Sequence, residues 1–209
     1  MVSGAASNMA TGTIANILLR RHERKNFQEA FQKIGDAYMW GQSQRGALGH
    51  GADMPEDQKT PLVMKDFLYL DVIEIDCEAA SGAAITSGGD LFTWGAGDAY
   101  KLGHGDTTDR FRPTLVKALK GEKITAVSVG AKHMLAIDDK KRVFSWGGNE
   151  YGQLGHGDIA VTRQSPTVIE LFRSLTEQDE ERAVVQIDCG SWHSSAVTAD
   201  GQLYTWGRE

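Results

Sequence analysis

Apolar and polar positions alternate with a period of two in short bursts along this chain. Ile73, Ile75 and Cys77 alternate with Glu74 and Asp76, and Val185, Ile187 and Cys189 alternate with Gln186 and Asp188. Such alternation predicts half-buried strands. Each burst leads into a run of small and apolar residues: Gly82–Thr86 (GAAIT), His133–Ile137 (HMLAI) and His193–Thr198 (HSSAVT). Turn residues follow at Ser87–Asp90, Asp138–Lys141 and Ala199–Gly201, where Gly and Asp supply the positive φ of tight hairpins. A strand ending in Trp-Gly comes next. With a proline-led strand at Pro61, Pro113 or Pro166, one period reads as four short antiparallel strands: proline-led, alternating, small-residue, Trp-Gly. Four-stranded units repeated radially are propeller blades, so the pattern predicts an all-β propeller. One segment departs from this period. Phe27, Ala30, Phe31 and Ile34 fall on a single helical stripe, and Thr13–Ile34 reads as an amphipathic helix stopped by Gly35.

The repeat is explicit in the sequence. Trp-Gly pairs begin at Trp40, Trp94, Trp146 and Trp206. Leu-Gly-His-Gly begins at Leu48, Leu102 and Leu154, and a proline follows each. The densest copy, Ser145–Asp158 (SWGGNEYGQLGHGD), raises the question of a phosphate loop. A nucleotide loop occurs once per site and not once per blade, and no Gly-Lys-Ser/Thr follows any copy. These glycines therefore serve sharp turns and close backbone approach. The copies are not identical. Ser81 stands where His133 and His193 stand, Glu78 where Gly130 and Gly190 stand, and Tyr100 where Gly46 and Gly152 stand. The third period is longer, with its excess in Glu170–Arg182 (ELFRSLTEQDEER).

Trp-Gly, six residues, Leu-Gly-His-Gly-Asp, a proline, then Asp-Gly-x-Leu-Tyr-x-Trp-Gly resembles the regulator of chromosome condensation repeat family. Val143–Asp158 and Cys189–Gly207 carry the resemblance most fully, and it covers Ala37 to Gly207. Kelch repeats, built on Gly-Gly, and WD repeats, built on Trp-Asp, fit less well. The resemblance implies a seven-bladed ring. Three blades are read here, Pro61–Trp94, Pro113–Trp146 and Pro166–Trp206, plus an orphan Trp-Gly strand near Tyr38–Trp40. The chain is thus expected to be part of a larger ring or assembly. Residues 1–36 read as a tail and helix. Residues 37–209 read as a partial propeller, with repeats at about 37–90, 91–142 and 143–202 and the start of another at 203–209. The structural set is Trp40, Gly41, Leu48, Gly49, His50, Trp94, Gly95, Leu102, Gly103, His104, Trp146, Gly147, Leu154, Gly155, His156, Trp206 and Gly207. Its leucines are expected to fill the space between blades. Its tryptophans are expected to pack in the core with the indole N–H partnered.

Composition narrows the function. The net charge is -6, from 22 Lys and Arg against 28 Asp and Glu, so no basic footprint for nucleic acid is expected. No run of eighteen apolar residues suggests a membrane-spanning helix. Cys77 and Cys189 hold equivalent strand positions two blades apart, which suits reduced thiols and a cytoplasmic setting. His50, His104 and His156 occur one per blade, whereas zinc needs ligands converging about 2 Å from one point, so neither metal nor cofactor is expected. No nucleophile with a base stands out, and no residue is nominated as catalytic.

The favoured reading is a non-catalytic protein–protein interaction scaffold. Its candidate contacts are the insertion with Glu177, Asp179, Glu180 and Glu181, the loop Ala52–Lys59, and the N-terminal helix with Arg20, Arg21, Phe27 and Phe31. For that helix a dock on the propeller is preferred over a mitochondrial presequence or a basic segment binding calmodulin or a membrane surface. By family analogy the setting is cytoskeletal or ciliary. The alternative the family implies is guanine-nucleotide exchange on a small GTPase, which needs a full ring and a GTPase-contacting insertion. The family's plant ultraviolet-B photoreceptor clusters tryptophans in a Gly-Trp-Arg-His-Thr motif. Gly190–Ser194 (GSWHS) places Trp192 one residue away from that pattern.

Overall fold

The computed structural model describes residues 17–20, 35–55 and 57–208. They form four antiparallel sheets, taken in chain order. The first holds β1 (Ile17–Arg20), β2 (Gly35–Gln42) and β3 (Asp57–Val63). The second holds β4 (Val72–Glu78), β5 (Ser81–Thr86), β6 (Leu91–Gly95) and β7 (Arg110–Leu115). The third holds β8 (Ile124–Val129), β9 (His133–Asp138), β10 (Val143–Gly147) and β11 (Arg163–Val168). Helix α1 (Glu170–Gln178) follows, then a sheet of β12 (Val184–Cys189), β13 (His193–Thr198) and β14 (Leu203–Gly207). Within each sheet the strands neighbour one another in sequence order, as in blades of a β-propeller.

The sheets are phased one strand later than the sequence pattern suggests. The proline-led strand closes a blade instead of opening one: β7, with Pro113, pairs with the Trp-Gly strand β6 through Phe92↔Leu115 and Thr93↔Thr114. The reason is the missing proline N–H. On an outermost strand it faces away from the ladder and forfeits no sheet bond. A repeat read from periodicity has no marked beginning, so the pattern alone does not set this phase. The Trp-Gly strand β2 is likewise no orphan, since it pairs with β3 and with β1.

Strand β1 also corrects the helix expected over Thr13–Ile34. Ile17↔Tyr38 through Arg20↔Gly35 form a continuous antiparallel ladder. The edge of β2 offers unpaired backbone groups, and a short apolar run such as Ile-Leu-Leu suits strand and helix alike. The rest of that expected helix lies outside the described residues, as do Arg21, Phe27 and Phe31.

The core sits between sheets. Met39, Leu48, Phe67 and Trp94 join the first sheet to the second. Leu102, Leu119, Met134 and Trp146 join the second to the third. Phe172, Leu175 and Val184, with Tyr204 and Trp206 against them, join the third to the fourth. The alternating strands also bond from blade to blade. Val127 N–H donates to Glu74 Oε1 at 3.2 Å, Val129 N–H to Asp76 Oδ2 at 2.8 Å, and Cys189 N–H to Ser128 Oγ at 3.0 Å. Polar residues that would face solvent in an isolated sheet thus become inter-blade ties. Burial pushes the Glu74, Asp76 and Glu78 carboxyls above their ordinary values.

Candidate functional site

The Trp-Gly and Leu-Gly-His-Gly motifs meet across each blade boundary. Trp94 Nε1 donates to the Ala47 carbonyl at 3.0 Å, Trp146 Nε1 to Lys101 at 2.7 Å, and Trp206 Nε1 to Gln153 at 2.8 Å. Each acceptor immediately precedes the motif leucine of the preceding blade, and Leu48, Leu102 and Leu154 are fully buried beside it. The first motif glycine makes room for the indole. At Gly103, φ is +77° and an added Cβ would lie 2.9 Å from Trp146 Nε1. The Trp-Gly glycine has a different duty at the sheet's bulge: a Cβ on Gly95 would lie 2.1 Å from the Ala80 carbonyl oxygen. Three motif loops are thus matched to three tryptophans. Trp40, which precedes the first loop, is half-buried.

The motif histidines are absorbed in the same way. Thr93 Oγ1 donates its one proton to the Leu102 carbonyl at 2.7 Å and lies 3.0 Å from His104 Nε2. That nitrogen therefore carries the histidine proton and donates to the hydroxyl. Ser145 repeats the arrangement with Leu154 (2.7 Å) and His156 (3.0 Å). In the first copy Met39 replaces the hydroxyl, and His50 Nε2 sits 3.5 Å from the Met39 carbonyl. Burial, helped by the Arg110 charge, pushes His104 down to about 4. Burial also lowers His50 and His156. Each histidine is engaged within its own blade, and the three do not converge.

His133 ties two blades together. Its Nε2 lies 2.8 Å from Ser194 Oγ, which donates to the Gln153 carbonyl at 2.8 Å, the carbonyl that also receives Trp206. The Ser194 proton is thereby committed, so His133 is protonated at Nε2. Its Nδ1 is buried without a hydrogen bond, and burial together with the His193 charge pushes the imidazole down to about 4. Cys77 and Cys189 are thiols, and burial raises the Cys189 group well above the usual range.

Around these latches the loops carry side chains with no latch duty. The Trp192 and Tyr151 rings meet edge to face, with centroids 5.5 Å apart and planes at 81°. The Arg208 guanidinium sits 4.9 Å over Tyr151 and the Lys132 ammonium 5.7 Å from the Trp192 ring. Ile159, 70% exposed, borders the same surface, with its Cγ2 3.3 Å from the space above Gly152. Buried Asn149 fixes this loop: its Nδ2 donates to the Asp158 carbonyl (3.0 Å) and carboxylate (2.8 Å), and its Oδ1 accepts from Leu154 N–H at 3.0 Å. The sequence offered one signal for this surface. The aromatic or basic side chain changes from copy to copy at positions flanking an otherwise regular motif.

The insertion is an amphipathic helix. Phe172 packs against Tyr204 at 5.4 Å and Trp206 at 5.6 Å, and Leu175 is buried. Arg173 pairs with Glu170 at 2.6 Å and Glu177 at 3.7 Å. Of the expected contact residues, Glu177, Asp179, Glu180 and Glu181 are exposed, and Asp179 accepts from Glu181 N–H at 3.0 Å. Arg20 lies on β1. The Ala52–Lys59 loop runs into β3, with Glu56 outside the described residues. Among the described residues no helix is long and apolar enough to cross a membrane.

Sheets repeated side by side and latched by indole-to-carbonyl bonds define a β-propeller repeat protein. The chain belongs to the regulator of chromosome condensation (RCC1) repeat family, whose model matches residues 35–84, 88–137 and 141–197. It is 35% identical over 181 residues to the human E3 ubiquitin-protein ligase HERC2, covering 86% of this chain and 4% of that protein. It is 36% identical over 169 residues to the ultraviolet-B receptor UVR8 of Arabidopsis thaliana, covering 80% of this chain and 36% of that protein. The crystal structure of human WBSCR16 superposes with a TM-score of 0.73 at 26% identity, covering 82% of this chain and 43% of that one. The match therefore spans less than half the length of each of these proteins.

Proposed function

We propose that this propeller segment is a non-catalytic protein-interaction module. The observation that carries the reading is the employment of the repeat's own chemistry. The Trp94, Trp146 and Trp206 indoles are bonded to neighbouring blades, and the Thr93 and Ser145 hydroxyls with the His104 and His156 imidazoles are bonded within their own blade. They are spent on shape, and recognition then falls to the variable loops between them. The relatives support this. One is named a ubiquitin ligase and another an ultraviolet-B receptor, so shared repeats accompany unlike named activities, as expected of a scaffold.

Guanine-nucleotide exchange is the rival to exclude by experiment. The purified chain is mixed with a panel of small GTPases preloaded with a fluorescent GDP analogue, and nucleotide release is followed. The scaffold reading predicts release at the intrinsic rate for every GTPase. Acceleration by orders of magnitude for any one of them contradicts it.

A further inference from the structure

Two loop positions on one face of the propeller vary among the copies although the motifs around them do not. One is filled by Arg45, Ala99 and Tyr151, five residues after each tryptophan. The other is filled by Ala80, Lys132 and Trp192, immediately before Ser81, His133 and His193. In the first two blades these positions hold no ring and no cation without a carboxylate partner. Arg45 is tied to Asp109 at 2.7 Å and Asp98 at 2.8 Å, and Ala80 and Ala99 are small. At the boundary of the third and fourth sheets they hold Lys132, Trp192 and Tyr151, and Arg208 extends the row. The result is a ladder of cation, ring, ring and cation with steps of 5.7, 5.5 and 4.9 Å. Neither cation has a carboxylate partner among the described residues. The nearby Glu150 carboxylate takes a bond from Gln153 Nε2 at 3.4 Å. Tyr151 is 42% exposed and Ile159 70% exposed, so the apolar middle is open to solvent. Asn149, 1% exposed, holds the loop in place, which limits the ordering cost of binding.

We infer that the Lys132–Trp192–Tyr151–Arg208 ladder, with Ile159 at its border, docks a short acidic segment of a partner protein, two carboxylates flanking one large apolar side chain. This rests on the interaction-module reading and names the partner's chemistry. The cations at the two ends, without a carboxylate partner among the described residues, call for carboxylates, and the rings and Ile159 between them call for an apolar group. Trp, Tyr and Arg are the residues that most often dominate binding energy in interfaces. The steps together reach no further than about five residues of extended chain at ~3.3 Å per residue. A nucleic acid fits less well, because its affinity draws on many phosphate contacts and the ladder offers two cations.

The test is selection of a phage-displayed random dodecapeptide library on the full chain. The recovered peptides are synthesised with a fluorophore and their affinity measured by anisotropy. Expected are peptides with two or more Asp or Glu around an aromatic or large aliphatic residue. Affinity falls tenfold or more in Trp192→Ala and in the double variant Lys132→Glu, Arg208→Glu, and is unchanged in Glu177→Lys on the insertion. Thermal unfolding of each variant confirms that the fold is kept. Recovery of no binder, of peptides without acidic enrichment, or of peptides that bind the ladder variants as well as the parent overturns the inference. So does a fifteen-residue oligothymidine that binds and is lost in the same variants, since that assigns the ladder to nucleic acid. The selection is independent of the exchange assay, so accelerated nucleotide release sinks the module reading without deciding what the ladder binds.

Discussion

Gly103 and Gly105 sit two residues apart, both with left-handed backbone, and separate two costs that a glycine motif usually mixes. At Gly105, φ is +83° and nothing lies within 4 Å of an added Cβ, whereas at Gly103 the Trp146 indole is 2.9 Å away. Gly105→Ala is expected to cost about 1–2 kcal/mol of unfolding free energy, the price of the left-handed conformation alone. Gly103→Ala is expected to cost more, roughly 3 kcal/mol, because the indole must also move. Urea unfolding of both variants checks the difference; equal costs would mean that the latch is loosely packed. The hydroxyl behind the latch makes a second test. Thr93→Ala strands the Leu102 carbonyl and the His104 N–H, at about 1–3 kcal/mol, and Thr93→Ser restores most of that. A Thr93→Ser variant as unstable as Thr93→Ala contradicts the hydrogen-bond assignment.

His133 supplies the pH dependence at this scale. Its folded value is about 4 against an ordinary 6.5, so the unfolded chain binds the proton first. Stability from keeping it neutral is present above 6.5 and is lost as pH falls from there towards 4, in total roughly 3 kcal/mol at 1.36 kcal/mol per unit. The raised carboxyls Glu74, Asp76 and Glu78 act in the opposite direction, because the folded state then holds their protons more firmly. A comparison with His133→Asn isolates the histidine. The stability gap between parent and variant is expected to narrow between pH 7.5 and pH 4, and a gap that stays constant refutes the neutral, buried assignment.

At the scale of elements, most strands were legible because each announces itself twice, by alternation and by the turn residues that follow it. The small-residue strands β5, β9 and β13 and the Trp-Gly strands fall where the pattern puts them. What was not legible has physical causes. The phase of the blades depends on where a proline can sit in a finished sheet, which is a property of the edge and not of the period. Strand β1 owes its state to the edge of β2, a tertiary partner that a local apolar run cannot disclose. The insertion was visible as extra length, but its packing was not, because its inner face answers to Tyr204 and Trp206 from a later repeat. That packing predicts that Phe172→Ala loosens the third and fourth sheets together, at about 3–5 kcal/mol, while Leu171→Ala, on the exposed face, changes unfolding little.

Across the described residues the indole-to-carbonyl latch is used three times and the hydroxyl–histidine contact twice, which separates the residues that hold the blades from those that differ between them. The holding residues were readable from the sequence, since repetition marks them. The ladder was not, because its members come from four different segments between or beyond strands and matter through their differences between copies. Arg208 and Lys132 are 76 positions apart in the chain yet end one row of side chains. The central claim is that recognition belongs to this loop face and not to the insertion or to any catalytic group. Amide hydrogen exchange on the full chain, with and without a selected acidic peptide, tests it most directly. The account predicts new protection at residues 130–132, 149–161, 190–192 and 207–208, with residues 170–182 unchanged. Protection centred on 170–182, with the loop face unaffected, would contradict it.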